Sequence, residues 1–377
     1  MFLRQSSKSM TFVVWMIAFA IASGYAHQAV AQKQGLDLAR SFLINTGLQP
    51  GGPQKTIGRE PFQRLPIRES RFNPGLKPGV NECASRWLSF DFVSKAGQQL
   101  SLEKRVAAEV AQFKGKVSVF AKNLDTGATF SFQGDEPVQT ASTIKVAVMI
   151  ETFARVAEGK AKWTDELVLT KEKKVGGSGI LFEFSDGLRL TLRDATTLMM
   201  ILSDNTATNL VIDTFGADAV NARMEALGFK ETRLMRRVFG GGDSAEGKKA
   251  ESKRFGLGRT SAREMVTLVE KLERGEIISA AVSKEMIDLM KREQGTNGIW
   301  RHQWRAPKAT KSGALDALRS NVGIIYHPRG RIALAVTAYE MPEVSWTVDN
   351  PALLLMNRIS EIVIEELGSK TPPVESK

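Results

Sequence analysis

Cysteine is almost missing from this chain: Cys83 is the only one in 377 residues. That excludes an intramolecular disulfide framework and any cysteine-based zinc site. Histidine is nearly as scarce, with only His27, His302 and His327. Little material is left for a histidine-rich metal centre or a Ser-His-Asp triad. No internal repeat and no low-complexity tract occurs. What is present is ordinary globular composition, 42% apolar and 25% charged, enough to bury a sizeable core and unlike a disordered chain or a stapled miniprotein. The 52 basic residues outnumber the 41 acidic ones, giving +11. They are dispersed and form no tract, so no nucleic-acid partner is expected, and the balance suits small substrates that carry carboxylates.

The first residues read as an export signal. Arg4 and Lys8 precede an uncharged apolar stretch, Met10 to Ala22, and small residues end in Ala29-Val30-Ala31. This is the order of a secretory signal peptide, residues 1–31. The alternative, a retained anchor, needs about 20 apolar residues. The mature chain is expected to be periplasmic or secreted, with no stable membrane span. Residues 32–99 carry Pro53, Pro61, Pro66, Pro74, Pro78 and Gly51-Gly52, which break any period and point to a tether or extension. A globular domain is expected over 100–367, with 368–377 as a tail.

Within that domain the spacing of Leu102, Val106, Val110 and Phe113 predicts a helix over 101–113. Val117/Val119 and Phe130/Phe132, around Asp125-Thr126-Gly127, predict a hairpin. Residues 143–157 are apolar on nearly every face, which marks a helix buried in the middle of a domain. Helices are expected at 191–202, 206–215 and 217–227, around Met265–Leu272 and Val282–Met290, and around Leu355–Val363. Strands are expected at 308–312, 319–326 and 331–339. Strands at both ends with helices between imply an α+β fold: one sheet completed by both halves of the sequence, a helical lobe against it, and a cleft where they meet.

Three short motifs then stand out. In Ser142-Thr143-Ile144-Lys145 the serine and lysine share a helical face, near a helix start where the dipole favours developing negative charge. A lysine on so apolar a helix is costly unless it is paired or neutral, and burial moves it toward base function. Ser203-Asp204-Asn205 lies between two helices, and Lys311-Ser312-Gly313 on a late strand. Each alone has an ordinary reading, as N-cap, turn and strand end. Together, in this order and context, they form a set.

That set resembles the class A serine β-lactamases and their penicillin-binding, D,D-peptidase-like relatives. The segment MMILSDNTATNL (Met199 to Leu210) is similar to the family's surroundings of S-D-N. The resemblance covers about residues 100–367 and implies a five-stranded antiparallel sheet flanked by terminal helices, plus an all-helical lobe. It also implies a division of labour. Ser142 would be the nucleophile, Lys145 would help deprotonate it, and Ser203 would relay a proton to the leaving nitrogen. Asn205 would hold a substrate amide, and Lys311 and Ser312 its carboxylate. The backbone N–H groups of Ser142 and Ala314, on the strand just past Gly313, would form the oxyanion hole. No metal or organic cofactor is called for, and a monomer is expected. Gly176-Gly177-Ser178-Gly179 falls where the family has a loop near the cleft mouth.

One departure matters. Class A enzymes carry a glutamate, in the loop after the helical lobe, that activates the deacylating water. Thr232-Arg233-Leu234 resembles the approach to that loop, but Arg236-Arg237-Val238-Phe239 occupies the expected position. The loop's acidic residues are Asp243, Glu246 and Glu251, among basic neighbours; Glu251, then Glu246, are the candidate bases. Three functions remain open: a β-lactamase with slow deacylation, a D,D-peptidase-type acyl-amide hydrolase, and a peptidoglycan- or β-lactam-binding module without turnover.

Overall fold

Alternating apolar residues at the two ends of the domain build one sheet. The structure, a computed structural model, describes residues 100–303 and 305–368; the expected signal peptide, the Pro/Gly-rich extension 32–99 and the tail beyond Gly368 lie outside the described residues. Strands β1 (Lys116–Asn123) and β2 (Thr129–Phe132) form the expected hairpin. After short β3 (Val138–Gln139) come a 3₁₀ turn, Ala141–Ile144, and helix α1 (Lys145–Ala157). The helix expected over 101–113 is present as αN (Leu102–Ala111) and precedes β1. The helical lobe continues through the small pair β4 (Glu166–Val168) and β5 (Arg189–Thr191) into α2 (Leu192–Ile201), α3 (Asn205–Phe215) and α4 (Ala217–Ala226). The chain then passes β6 (Arg233–Leu234), β7 (Gly258–Thr260), α5 (Ala262–Glu273) and α6 (Ala280–Met290). It closes with β8 (Lys308–Leu315), β9 (Leu318–His327), β10 (Gly330–Tyr339) and α7 (Pro351–Leu367).

The main sheet has the order β2-β1-β10-β9-β8, antiparallel throughout. Both of its faces are buried, and the two-residue period sorts side chains between them. Phe120, Val322, Ile324, Ala333 and Ala335 enter the core shared with the helical lobe. Val119, Ala121, Ile325, Ile332, Leu334 and Val336 enter a second core with αN and α7. Each fully buried Val, Leu or Ile contributes about 1.5–3 kcal/mol, so the two cores together hold the layers in register.

Helix α1 is the centre of the lobe, with Lys145 through Ala154 all buried. It ends at Ala157, where the expected 143–157 ends, but begins two residues later. Ser142 lies in the preceding 3₁₀ turn, and Lys145 is the first α-helical residue. In a 3₁₀ turn positions i and i+3 eclipse, so Ser142 and Lys145 still share one side. The strand expected at 308–312 runs on to Leu315. Strand β8 is the edge of the sheet, so its outer row of backbone groups is not used by another strand.

Candidate active site

The three motifs converge where the 3₁₀ turn, the start of α3 and the edge strand β8 meet. Ala141, with φ of 46°, turns the chain into Ser142, a conformation that non-glycine residues hold only when the surroundings enforce it. Strand β8 enforces it by close approach. A Cβ at Gly313 would stand 2.9 Å from both Ser142 N and Thr140 O. No side chain fits there, and the missing one lets β8 lie against the backbone of the Ser142 turn.

Lys145 is wholly buried. Its Nζ donates to Ser203 O (2.6 Å), Ser203 Oγ (3.2 Å) and Asn205 Oδ1 (2.9 Å). Burial, then the nearby Lys311 ammonium, push its pKa well below the ordinary lysine value, while Asp204 pulls the other way. Ser203 itself has φ of 55°, so its carbonyl and hydroxyl both reach the amine from a strained position. These contacts join the first motif to the second.

Asp204, between them, is the scaffold of the second motif. Its Oδ1 accepts from Ala207 N (2.8 Å) and caps α3, the ordinary role expected of an aspartate there. Its Oδ2 accepts from Ile180 N (2.7 Å) and Leu181 N (2.8 Å), so the glycine-rich loop is tied down as well. Gly179 (φ 93°) lies so close that a Cβ would come within 2.2 Å of Asp204 Oδ2. Asn205 completes the docking: Asn205 N donates to Ser178 O (2.9 Å) and Asn205 Nδ2 to Gly176 O (3.0 Å). The loop expected at the cleft mouth is thus bonded to the residues that hold Lys145.

Lys311 is also wholly buried. Its Nζ donates to Ser312 O (2.8 Å) and lies 3.6 Å from Glu293 Oε1. Burial lowers its pKa against the pull of Glu293. Ser312 Oγ donates to Glu293 Oε1 at 2.5 Å, and Ala314, just past Gly313 on the strand, is exposed. Glu293, three residues past α6, has no place in the motifs. No local pattern marks it; the need of a buried Lys311 for a counter-ion is the one signal that could have pointed to some carboxylate.

The loop after β6 is arranged differently. Asn209, on α3, clamps Val238 by both backbone groups: Val238 N donates to Asn209 Oδ1 (2.9 Å) and Asn209 Nδ2 to Val238 O (3.2 Å). Phe239 follows with φ of 62° and 72% exposure, its ring 3.4 Å from where a Gly177 Cβ would stand. Glu246 is held by Lys249 (2.7 Å), Ser252 Oγ (3.1 Å) and Arg259 (3.5 Å), and Lys249 above all keeps its carboxyl below the usual range. Glu251 is exposed on the 3₁₀ turn Ala250–Phe255. Neither carboxylate is among the partners of Lys145, Ser203 or Lys311. His302 is exposed and meets Glu361 Oε1 at 2.6 Å. Among the described residues no cluster of His, Cys, Asp and Glu could hold a metal ion, and no helix is long and apolar enough to cross a membrane.

An antiparallel five-stranded sheet between terminal helices and a helical lobe is the β-lactamase/transpeptidase-like architecture. Solved structures share it. A β-lactamase from Sphaerobacter thermophilus is 29% identical, with a TM-score of 0.62, covering 71% of this chain and 96% of that one. PBP-A, 24% identical with a TM-score of 0.61, covers 70% and 94% and shares the fold. Another structure of PBP-A is an acyl-enzyme complex with penicillin G. Among curated relatives, β-lactamase AER-1 of Aeromonas hydrophila is 25% identical over 60% of this chain and 74% of its own length. A β-lactamase of Rhodobacter capsulatus is 25% identical over 71% and 89%. The model of the β-lactamase enzyme family matches residues 101–367, and the chain belongs to that family.

Proposed function

We propose that this protein is a class A-like serine acyl-transferring hydrolase that opens β-lactam rings through an acyl-enzyme on Ser142 and deacylates slowly. The observation that carries the reading is the buried Lys145 amine, bonded to Ser203 and Asn205 on the side it shares with Ser142. In its neutral form the amine has two N–H donors and gives up one of its three donations, the long one to Ser203 Oγ, and the freed lone pair accepts the proton from Ser142 Oγ as the oxygen attacks the lactam carbonyl. The Ser203 hydroxyl, bonded to the same amine, passes a proton to the nitrogen as the C–N bond breaks. The oxyanion is received by Ser142 N–H and Ala314 N–H, across the close approach that Gly313 permits; such a donor is worth about 3 kcal/mol. The edge position of β8 leaves Ala314 and the groups beside it open to a substrate lying along the strand. Lys311 binds the substrate carboxylate, Ser312 Oγ turns its proton from Glu293 Oε1 to that carboxylate, and Asn205 Nδ2 exchanges Gly176 O for a substrate carbonyl. No metal or organic cofactor enters.

A second reading, a penicillin-binding D,D-peptidase-type hydrolase of cell-wall peptides, is favoured by the loop. Val238, not a carboxylate, sits in the Asn209 clamp, and Glu246 is committed to Lys249 and Arg259. Acylation needs neither residue; rapid deacylation needs a base. We place the protein as an exported monomer acting on small substrates. One experiment separates the readings: the mature chain is mixed with a chromogenic cephalosporin and its intact mass recorded. Sustained colour supports the hydrolase, a stable one-equivalent adduct the penicillin-binding type. Neither colour nor adduct leaves only a binding module and sinks the proposal.

A further inference from the structure

Two amines buried near one another do not both stay charged without help. Lys145 and Lys311 are both wholly buried, and Lys311 acts on Lys145 as a repelling charge. Their partners differ. The hydrogen-bond partners of Lys145 are neutral oxygens of Ser203 and Asn205. Lys311 has a carboxylate, Glu293, buried with it.

That carboxylate is built into its place. Glu293 Oε1 accepts from Ser312 Oγ (2.5 Å) and Ser312 N (3.2 Å). Its Oε2 accepts from Thr310 Oγ1 (2.9 Å) and Gly295 N (3.1 Å). Four donors and one cation are more than an incidental ion pair requires, and four of these five groups belong to the strand that bears the K-S-G motif. Burial disfavours its charge, but Lys311 and the hydroxyls of Ser312 and Thr310 outweigh burial and hold its carboxyl below the usual range.

We propose that Glu293 is a positioning residue for the anion-binding strand: its carboxylate keeps Lys311 the charged one of the two buried lysines and holds the Ser312 hydroxyl until a substrate carboxylate takes its proton. Strand β8 then offers a fixed cation to a substrate carboxylate, while Lys145 stays free to take a proton from Ser142. The other charged groups facing this set are few. Lys308, on β8, is attracted by Glu293 and donates to Gly295 O at 2.7 Å. Asp204, at the start of α3, attracts Lys145 and is itself tied to Ala207, Ile180 and Leu181. The inference deepens the Ser142 reading and rests on it for its substrate, but the charge of Lys311 is measurable without any substrate.

The test follows the lysines directly. The full chain is made with lysine carrying ¹³C at Cε, and the signals are titrated by NMR, with Lys311 and Lys145 assigned from the peaks lost in K311R and K145R. In Glu293→Gln the Lys311 midpoint should fall by about one pH unit or more. Relative to wild type, labelling by a fluorescent penicillin should fall increasingly as pH rises, by up to about tenfold, and the loss should be regained as pH is lowered. An acylating substrate with no carboxylate should label both chains alike. An unchanged Lys311 midpoint overturns the proposal. If the Gln variant does not fold, Glu293→Asp takes its place: the shorter carboxylate draws back from Lys311, and a wild-type midpoint there overturns it too. A wild-type chain that takes no label on Ser142 sinks the Ser142 reading, and the lysine titration still decides the role of Glu293.

Discussion

The seam around Lys145 and the loop between β6 and β7 treat their charges in opposite ways. At the seam one amine is stripped of water and given neutral acceptors from Ser203 and Asn205. In the loop the carboxylate of Glu246 keeps cations around it, Lys249 and Arg259, and Glu251 faces solvent. Burial without a directly bonded counter-ion moves a lysine toward a base; pairing with a cation makes a carboxylate a poorer one. The first arrangement suits forming an acyl-enzyme. On the proposed reading, neither Glu246 nor Glu251 offers its hydrolysis a comparable base.

The sharpest way to break this contrast is at the seam. Ser142→Ala should abolish covalent labelling by penicillins, read by intact mass; undiminished labelling removes the mechanism. Lys145→Met should slow labelling by about 10²–10⁴-fold, the usual worth of a general base. The sign of the pH dependence follows from the lowered pKa of Lys145: the neutral amine is present above that pKa, so the wild-type labelling rate should fall as pH drops through it. That acid limb should vanish in the methionine variant, and a limb that persists assigns the base to another group.

The same contrast can be sharpened from the loop. Wild-type turnover of a chromogenic cephalosporin should show a burst of about one equivalent and then a slow steady state. Val238→Glu places a carboxylate in the Asn209 clamp and should raise that steady state about 10²-fold; a burst trace identical to wild type would show that a base at this position does not reach the ester. Rapid linear turnover by the wild type, with no burst, would remove the contrast altogether.

Smaller effects are expected at the edges. Lys311→Ala should raise KM for a carboxylate-bearing substrate and slow acylation, because a binding charge acts before and during the chemical step. Gly179→Ala pushes a methyl into Asp204 at a backbone angle that alanine resists. It should cost about 1–3 kcal/mol, read as a lowered midpoint in urea, and slow labelling through the displaced Asp204-Asn205 segment. Smallest of all, Glu246→Gln, which weakens the pairs with Lys249 and Arg259, should cost no more than about 1 kcal/mol of stability and leave the steady state alone. If it, or Glu251→Gln, instead traps the adduct, the loop does carry a base after all.

Much of this was written in local pattern. The two-residue alternation in 117–132 and 319–339 marked the strands, and the apolar run after Ser142 marked the central helix, because periodicity depends only on neighbours along the chain. S-x-x-K, S-D-N and K-S-G named the candidate reactive groups for the same reason. The five-stranded order itself was implied by family resemblance, since no local signal says that β1 pairs with β10.

What the sequence by itself determined, then, is which groups could react and on which elements they ride. Tertiary structure alone decided what surrounds them. It set Ser142 in a 3₁₀ turn beneath Gly313, turned Asp204 into the anchor of the glycine-rich loop, and gave Val238, rather than a carboxylate, the clamp of Asn209. It also brought Glu293 from the end of α6 to Lys311, two residues whose partnership no spacing announces. The reason is physical: a residue's type is fixed by the sequence, but the strength of a base or the charge of a buried lysine depends on burial and on partners from distant segments, which exist only once the lobes and sheet have packed.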